Sequence, residues 1–283
     1  MVKRLFLLLD AIKFEHSIFA LPFAYIGMVM AAGGFPSWDK IIWITVAMVG
    51  ARTLAMATNR VADAHYDALN PRTAGRAIPK GVLSRWDMVV LAVAGLVVMF
   101  FAAWQLNPLC LQLAPLAAVV LIGYSWTKRF TWLSHAVLGL ADGCAPAGGW
   151  IAVTGTVDLP AVLLGLAVLF WVGGFDLIYA CQDVDFDRRY RLHSFPARFG
   201  IAAALLASSF AHVLTLLLLA LTGLVLGLGW LYWIGLAISG ALLIYEHRLV
   251  KPDDLSKLGV SFFNVNGYVA VIVFLFSVGG LYV

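Results

Sequence analysis

Nine long apolar runs dominate this sequence and restrict what it can fold into. A helix of about 20 residues spans the hydrocarbon core of a bilayer, and each run is close to that length. The runs are too long and too uniformly apolar for barrel strands, and α-helices satisfy their own backbone groups in lipid. We predict an all-α integral membrane protein whose transmembrane helices cover residues 16–33, 41–59, 86–104, 107–126, 132–154, 160–181, 201–222, 226–245 and 260–281.

The composition excludes an ordinary soluble domain. Of the 283 residues, 63% are hydrophobic and only 12% are charged, and the mean hydropathy is +0.94. A soluble fold cannot bury that much apolar surface, so lipid must cover part of it. No loop is long enough to form a separate soluble core, and we predict one polytopic membrane domain over residues 1–283.

The basic residues predict the orientation of the chain. All of the 19 lysines and arginines except Lys40 and Arg52 precede the first run or follow an even-numbered one. Such an excess marks the cytoplasmic side, so we predict a cytoplasmic N-terminus and a multi-pass protein of the cytoplasmic (inner) membrane. The net charge of +4 therefore reflects membrane orientation and not nucleic-acid binding. At the N-terminus we expect an amphipathic surface helix and no cleaved signal peptide.

A polar stripe closes the second apolar run. Asn59, Asp63 and Asp67 are spaced by four residues, so they share one face of a helix. Arg52 lies seven residues before Asn59 on the same face, about 10 Å deeper in the membrane. Because ionisable groups within a bilayer are costly, they usually have a function.

A second acidic segment closes the sixth run. On an ideal helix Asp183 and Asp187 both lie within about 20° of Asp176, whereas Asp185 points to the opposite side. We therefore exclude Asp185 from the site. Both acidic segments lie at predicted cytoplasmic ends and precede the longest loops, residues 60–85 and 183–200, which we expect to cap one shared site.

Five carboxylates on two such helix ends would repel one another unless a cation neutralised them. Oxygen ligands favour a hard ion, by default Mg²⁺, and the neighbouring arginines suit phosphate oxygens. Three alternatives stay open: solvated helix ends paired with arginines, the coupling-ion site of a secondary transporter, and a Mg²⁺-dependent membrane lipid transferase such as a phosphatidyl-transfer enzyme. Transporter sites usually lie nearer the membrane midplane, and we find no compact, glycine-spaced aspartate motif of the phosphatidyl-transfer type.

The two segments resemble the two signatures of the UbiA family of intramembrane aromatic prenyltransferases. They occur in the same order and after the same spans, so the resemblance covers essentially the whole chain. The first signature comprises Asn59, Asp63, Asp67, Asn70, Pro71, Arg72, Thr73, Arg76, Pro79 and Gly81. The second comprises Asp176, Tyr179, Gln182, Asp183, Asp187, His193, Ser194, Pro196, Phe199 and Gly200.

The resemblance implies a helical bundle around a central cavity and Mg²⁺-dependent transfer of a prenyl group from its diphosphate to an aromatic ring. It implies that Mg²⁺ and, through it, the diphosphate are held by Asp63, Asp67, Asp183 and Asp187, supported by Asn59 and Asp176, and that Arg72, Arg76 and Lys128 clamp the phosphates. Tyr179 would stabilise an allylic cation through its π face, or it would simply pack.

Arg52 bears on the acceptor. In members resembling aromatic-acid enzymes an arginine here would bind the acceptor's carboxylate, although pairing with Asp142 is the alternative. The expected acceptor is an aromatic hydroxy acid of quinone biosynthesis, either 4-hydroxybenzoate for ubiquinone or 1,4-dihydroxy-6-naphthoate for menaquinone. Residues 14–24 and 193–200 look closer to the family branch that serves menaquinone. We expect the lipid bilayer and these substrates as partners, with no obligate protein partner.

Overall fold

The structure is a computed structural model that describes residues 7–8, 10–12 and 17–283. In this part of the chain the regular elements are helices, and the only extended pairing is an isolated bridge between Lys251 and Asp254. The predicted N-terminal surface helix lies largely outside the described residues. The elements are α1 (Ser17–Ala32), α2 (Trp38–Leu69), α3 (Arg85–Leu106), α4 (Pro108–Thr127), α5 (Ser134–Thr154), α6 (Leu159–Ala180), a 3₁₀ turn (Cys181–Asp183), α7 (Val184–Arg189), α8 (Phe195–Phe199), α9 (Ile201–Leu226), α10 (Trp230–Leu249), a π-helix (Val260–Val265) and α11 (Asn266–Gly279).

Every predicted apolar run coincides with a helical segment among the described residues. Seven of these segments are long and apolar enough to cross a membrane, and the protein is therefore treated as an integral membrane protein. The apolar part of α1, Leu21–Ala32, is shorter, and α10 carries Glu246, His247 and Arg248 in its last turn. Nine spans and a cytoplasmic N-terminus thus stay predictions.

The described chain divides into two compact units. The first comprises Met1–Ile18 and Trp38–Trp126, and the second comprises Phe19–Ser37 and Thr127–Val283. The prediction of one domain over residues 1–283 stays a prediction.

Helices α2 and α3 of the first unit pack with their backbones in contact. A Cβ atom at Gly95 would lie 2.7 Å from the Leu54 backbone nitrogen and 2.8 Å from the Gly50 carbonyl oxygen. Small residues permit this close approach, which gives membrane helices their van der Waals packing. Helix α3 begins at a capping box, in which Ser84 and Asp87 exchange side-chain to backbone hydrogen bonds.

In the second unit, α5 packs closely on α6. A Cβ atom at Gly139 would lie 2.2 Å from the Leu169 carbonyl oxygen, and one at Gly143 would lie 2.5 Å from that of Gly165. The small residues on either side of Asp142 therefore let the two helices approach closely. This contact fixes the position of α6, whose last turn carries Asp176.

Candidate active site

The first acidic stripe lies on one continuous helix. Helix α2 extends to Leu69, so the expectation of a loop over residues 60–85 is wrong for its first part. The helix places Asn59, Asp63 and Asp67 on successive turns, as their spacing predicts. The polar stripe continues the packed helix α2, and its polar side chains are satisfied by hydrogen bonds.

Two hydrogen-bonded pairs organise this stripe. The Asn59 side-chain amide donates to Asp63 Oδ2 at 2.8 Å, and the two residues are one turn apart. The Arg76 guanidinium donates through Nη1 to both carboxylate oxygens of Asp67, at 2.7 and 2.8 Å. Asp67 is buried, with 6% of its surface exposed. The guanidinium supplies the positive charge that a buried carboxylate requires.

Tight turns after α2 bring Arg76 back to Asp67. The Asn70 carbonyl oxygen accepts from the backbone nitrogens of Thr73 and Ala74, and the Thr73 hydroxyl donates to the Asp67 carbonyl oxygen at 3.1 Å. The chain therefore reverses directly over the end of the helix. The prediction that the segment after α2 caps the first acidic stripe is consistent with this local geometry.

The other arginines of this unit differ in burial. Arg60 was predicted in a polar loop, but it is buried in α2 and its Nε donates to the Ala11 carbonyl oxygen at 2.8 Å. The predicted location of Arg60 in a loop is therefore wrong, because α2 extends beyond the apolar run. Arg72 is exposed and Arg52 is half-buried on α2. The roles of Arg72 and Arg52 in binding phosphate and acceptor stay predictions, as does the pairing of Arg52 with Asp142.

The second acidic segment is not one ideal helix. Helix α6 ends at Ala180, a 3₁₀ turn covers Cys181–Asp183, and α7 follows. A 3₁₀ turn advances about 120° per residue where an α-helix advances about 100°, so the ideal-helix angles between Asp176 and the later aspartates are wrong. Within the turn and α7, however, Asp183 and Asp187 are buried at 8% and 1% exposure, while Asp185 is exposed.

Asp187 has a cationic neighbour in its own unit. The Lys128 ammonium donates to Asp187 Oδ2 at 3.4 Å, and the Lys128 carbonyl oxygen accepts from the His193 backbone nitrogen at 2.6 Å. The chain after α7 thus anchors the lysine's backbone. The Lys128 side chain is 36% exposed, whereas that of Asp187 is 2% exposed, so the ammonium group is also accessible to an external anion.

Asp176 pairs with a histidine that the sequence pattern did not single out. His135 Nδ1 lies 2.6 Å from Asp176 Oδ2, and His135 Nε2 accepts a hydrogen bond from the Phe195 backbone nitrogen at 3.4 Å. Because Nε2 accepts, the proton of a neutral ring is on Nδ1 and is donated to Asp176. The available signal was an ionisable residue in the apolar run of residues 132–154.

Tyr179 lies one turn after Asp176 and packs on aromatic rings. It stacks on Phe262 with ring centroids 4.0 Å apart and an interplanar angle of 29°, and Phe263 lies edge-on at 6.3 Å. One face of the Tyr179 ring is therefore covered by Phe262. A cation would have to approach the other face or the ring edge, so cation stabilisation and simple packing both stay open as roles for Tyr179.

The donor set fits a hard cation. In each unit two aspartates lie four residues apart, Asp63 and Asp67 in the first and Asp183 and Asp187 in the second. Of these, Asp67, Asp183 and Asp187 are buried. Oxygen ligands of this kind are those that Mg²⁺ prefers. The two acidic segments belong to different compact units, so their union in one site stays a prediction.

Fold and side chains of the described residues together define a class: a polytopic, helical membrane protein with two aspartate clusters, in each of which a buried carboxylate lies beside a cation. Comparison with known proteins then assigns the family. The model of the UbiA prenyltransferase family matches residues 20–268. The chain therefore belongs to that family and is an enzyme of the polyprenyltransferase class.

Curated relatives agree with this assignment. The chain is 34% identical over 239 residues to the 4-hydroxybenzoate octaprenyltransferase of Cupriavidus necator, which covers 83% of this chain and 82% of that protein. It is 32% identical over 246 residues to the enzyme of the same name from Chromohalobacter salexigens, covering 87% and 82%.

Solved structures share the fold. The apo structure of a UbiA homolog from Aeropyrum pernix K1 is 35% identical and has a TM-score of 0.84, covering 92% of this chain and 95% of that one. A UbiA homolog from Archaeoglobus fulgidus bound to DMAPP and Mg²⁺ is 17% identical, with a TM-score of 0.67 over 94% and 98% of the two chains. The latter similarity concerns the fold alone.

Proposed function

We propose that this protein transfers a polyprenyl group from its diphosphate to the ring of an aromatic hydroxy acid in quinone biosynthesis. The observation that carries the proposal is the similarity to 4-hydroxybenzoate octaprenyltransferases over more than four fifths of both chains. The buried aspartates and their neighbouring cations agree with a diphosphate substrate.

In the transfer, the bond between the prenyl C1 and the diphosphate oxygen breaks, and its electron pair leaves with the diphosphate. The π electrons of the acceptor ring form the new carbon–carbon bond, and the ring then releases one proton. Fixed positive charge near the leaving oxygens stabilises the charge that develops there. Water must be kept away from the reacting carbon, because water would capture it instead.

Asp63, Asp67, Asp183 and Asp187 would hold Mg²⁺, with Asn59 and Asp176 as supporting residues. When bound, the ion would neutralise the carboxylates and polarise the diphosphate oxygens. The residues around these aspartates already restrict them: Asn59 orients Asp63, Arg76 holds both oxygens of Asp67, and His135 fixes one oxygen of Asp176.

Arg72, Arg76 and Lys128 would bind the diphosphate. Arg72 is exposed, and the side chains of Arg76 and Lys128 are 31% and 36% exposed. All three can therefore turn toward an anion without being withdrawn from a closed core. Their guanidinium and ammonium groups suit phosphate oxygens. The diphosphate would compete with Asp67 for Arg76 and with Asp187 for Lys128.

The acceptor would be 4-hydroxybenzoate, and its carboxylate would bind Arg52. A guanidinium within a membrane helix requires an anionic partner, and Arg52 is half-buried on the same helix as Asn59. A second candidate acceptor is 1,4-dihydroxy-6-naphthoate, because residues 14–24 and 193–200 look closer to the menaquinone branch of the family. The site would face the cytoplasm, because the basic residues lie on that predicted side.

A direct assay tests the proposal. Purified full-length protein in lipid nanodiscs is incubated with Mg²⁺, a polyprenyl diphosphate and one of the two acids, and the product mass is measured. A prenylated acid that forms only with Mg²⁺ supports the proposal, and the preferred acid identifies the branch. No product with either acid, combined with Mg²⁺-independent flux in liposomes, would instead support a transporter.

A further inference from the structure

A buried cluster of two histidines and a glutamate lies outside the residues used above. His212 on α9 and Glu246 on α10 are 2% and 0% exposed, and His247 on α10 is half-buried. One ligand atom from each residue lies within 4.8 Å of the other two. All three belong to the second unit. Such residues are costly in an apolar helix pair unless they are fully satisfied.

The hydrogen bonds around the two rings restrict where their protons can be. His212 Nε2 lies 3.3 Å from the Trp171 carbonyl oxygen, which can only accept, so this nitrogen carries hydrogen. The Ser209 hydroxyl lies 3.0 Å from the Leu205 carbonyl oxygen and 3.2 Å from His247 Nδ1, and it has one proton to donate to one of them. When Ser209 donates to Leu205, both neutral rings present a lone pair on the remaining nitrogen.

These two lone pairs face each other. His212 Nδ1 and His247 Nε2 are 2.9 Å apart, and Glu246 Oε2 lies 3.5 Å from His212 Nδ1. Two lone pairs and a carboxylate oxygen repel one another at such distances. A cation bound between them would satisfy all three atoms, including Glu246 Oε2, which a hydrogen bond between the two rings would leave without a hydrogen-bond partner among the described residues.

We propose that His212 Nδ1, Glu246 Oε2 and His247 Nε2 bind a divalent transition-metal ion of the Zn²⁺ type. Nitrogen and oxygen ligands about 2.0–2.1 Å from such an ion are separated by about 2.9–3.4 Å for bond angles between 90° and tetrahedral. The observed separations of 2.9 and 3.5 Å are close to that range. Two imidazoles and one carboxylate suit a borderline transition metal better than Mg²⁺.

The surroundings of the three ligands favour a metal ion over a shared proton. Each ligand is oriented by a second group, as metal ligands usually are: Trp171 and Ser209 orient the histidines, and the other oxygen of Glu246 accepts from Asn266 at 2.6 Å and from Ser261 at 3.3 Å. Glu246 Oε2 has no hydrogen-bond partner among the described residues. A proton joins two atoms, whereas a metal ion satisfies this third one as well.

The ion would join α9 to α10. Through the hydrogen-bond partners of its ligands, it would also stabilise the contacts of these helices with α6 and with the π-helix. The site is chemically distinct from the aspartate clusters, because it contains nitrogen ligands. Its role is structural, and it does not depend on the proposed reaction.

Metal analysis of the purified full-length protein tests this inference. We expect about one transition-metal ion per chain by mass spectrometry, visible d–d bands after exchange with Co²⁺, and a Tm that rises further with Zn²⁺ when Mg²⁺ is already saturating. Glu246→Gln and His247→Gln should abolish all three signals. Ser209→Ala keeps every ligand and should weaken Zn²⁺ affinity about 10–100-fold.

His193→Ala is the matched control, because His193 is exposed and lies outside the cluster; its metal content should equal that of the unaltered protein. Absence of bound metal, together with no Zn²⁺-dependent change in Tm, would overturn the inference and leave a hydrogen bond between the two histidine rings in its place. The inference would equally fail if Ser209→Ala, which should fold, bound Zn²⁺ as tightly as the unaltered protein.

Discussion

Replacing Asp187 and Asp185 in parallel gives the sharpest test of the second acidic segment. Both substitutions, Asp187→Asn and Asp185→Asn, remove one negative charge from α7, two residues apart. Asp187 is 1% exposed and lies 3.4 Å from the Lys128 ammonium, whereas Asp185 is exposed. Any difference between the variants therefore reflects the position of the carboxylate and not the net charge.

We expect Asp187→Asn to lower kcat/KM by about 10²–10³-fold, equivalent to ~2.7–4 kcal/mol of transition-state stabilisation. An amide oxygen is a weaker Mg²⁺ ligand than a carboxylate, and the amide no longer attracts Lys128. Asp185→Asn should change kcat/KM by about twofold or less, since surface substitutions rarely exceed ~0.5 kcal/mol.

Stability should change less than activity. Breaking a fully buried ion pair costs ~3–5 kcal/mol, but the Lys128 side chain is 36% exposed and stays solvated when its partner is lost. We therefore expect a loss of about 1 kcal/mol at most in Asp187→Asn, which a modest decrease in Tm would report. A large loss of activity with a nearly unchanged Tm is the signature of a binding residue.

The assay measures initial rates at several Mg²⁺ concentrations for both variants and the unaltered protein. Asp187→Asn should require more Mg²⁺ for half-maximal rate, whereas Asp185→Asn should not. Equal activities of the two variants, or equal losses, would refute the assignment of Asp187 to the metal and diphosphate site.

Three further experiments test other parts of the structure. Arg76→Ala should raise the KM for the polyprenyl diphosphate at least about tenfold and leave the KM for the acid nearly unchanged. Arg52→Ala should instead raise the KM for the acid and leave that for the diphosphate nearly unchanged. Steady-state kinetics with each substrate varied measure both constants, and equal effects on the two substrates would contradict these roles. His135→Leu should lower kcat roughly 10–100-fold, and His135→Asn, which keeps an N–H donor for Asp176, should recover part of it; equal rates in the two variants would contradict the positioning role. Gly95→Ala should destabilise the protein by ~1–3 kcal/mol because its Cβ would overlap α2. In Gly123→Ala the added Cβ meets nothing within 4 Å, so Tm should be unchanged or higher. A Gly95→Ala variant as stable as Gly123→Ala would count against the close packing of α2 and α3.

Much of the architecture follows from the sequence alone. The nine predicted apolar runs coincide with helical segments among the described residues, because a membrane span must be helical and about 20 residues long. The four-residue spacing of Asn59, Asp63 and Asp67 places them along α2, since helical periodicity is a local property of the backbone. Family membership was also predicted from the two signatures, and the family comparison confirms it.

Helix ends were less predictable. Hydropathy falls at residue 60, but α2 continues to Leu69, since hydrogen bonds such as that from Arg60 to Ala11 satisfy its polar residues. Polarity therefore marks where a helix leaves the predicted apolar run, not where the helix ends. The same reason explains the incorrect ideal-helix angles after Asp176, because no hydropathy signal marks the 3₁₀ turn.

Contacts between distant residues were decided only by the tertiary structure. His135 meets Asp176 across 41 positions of sequence, and His212 meets His247 across 35. Such contacts depend on which faces of two helices pack against each other. An apolar helix has many similar faces, so its local sequence gives little indication of which face will be in contact. The sequence determines that this is a membrane prenyltransferase with two acidic segments, whereas helix packing determines which buried groups orient and neutralise their neighbours.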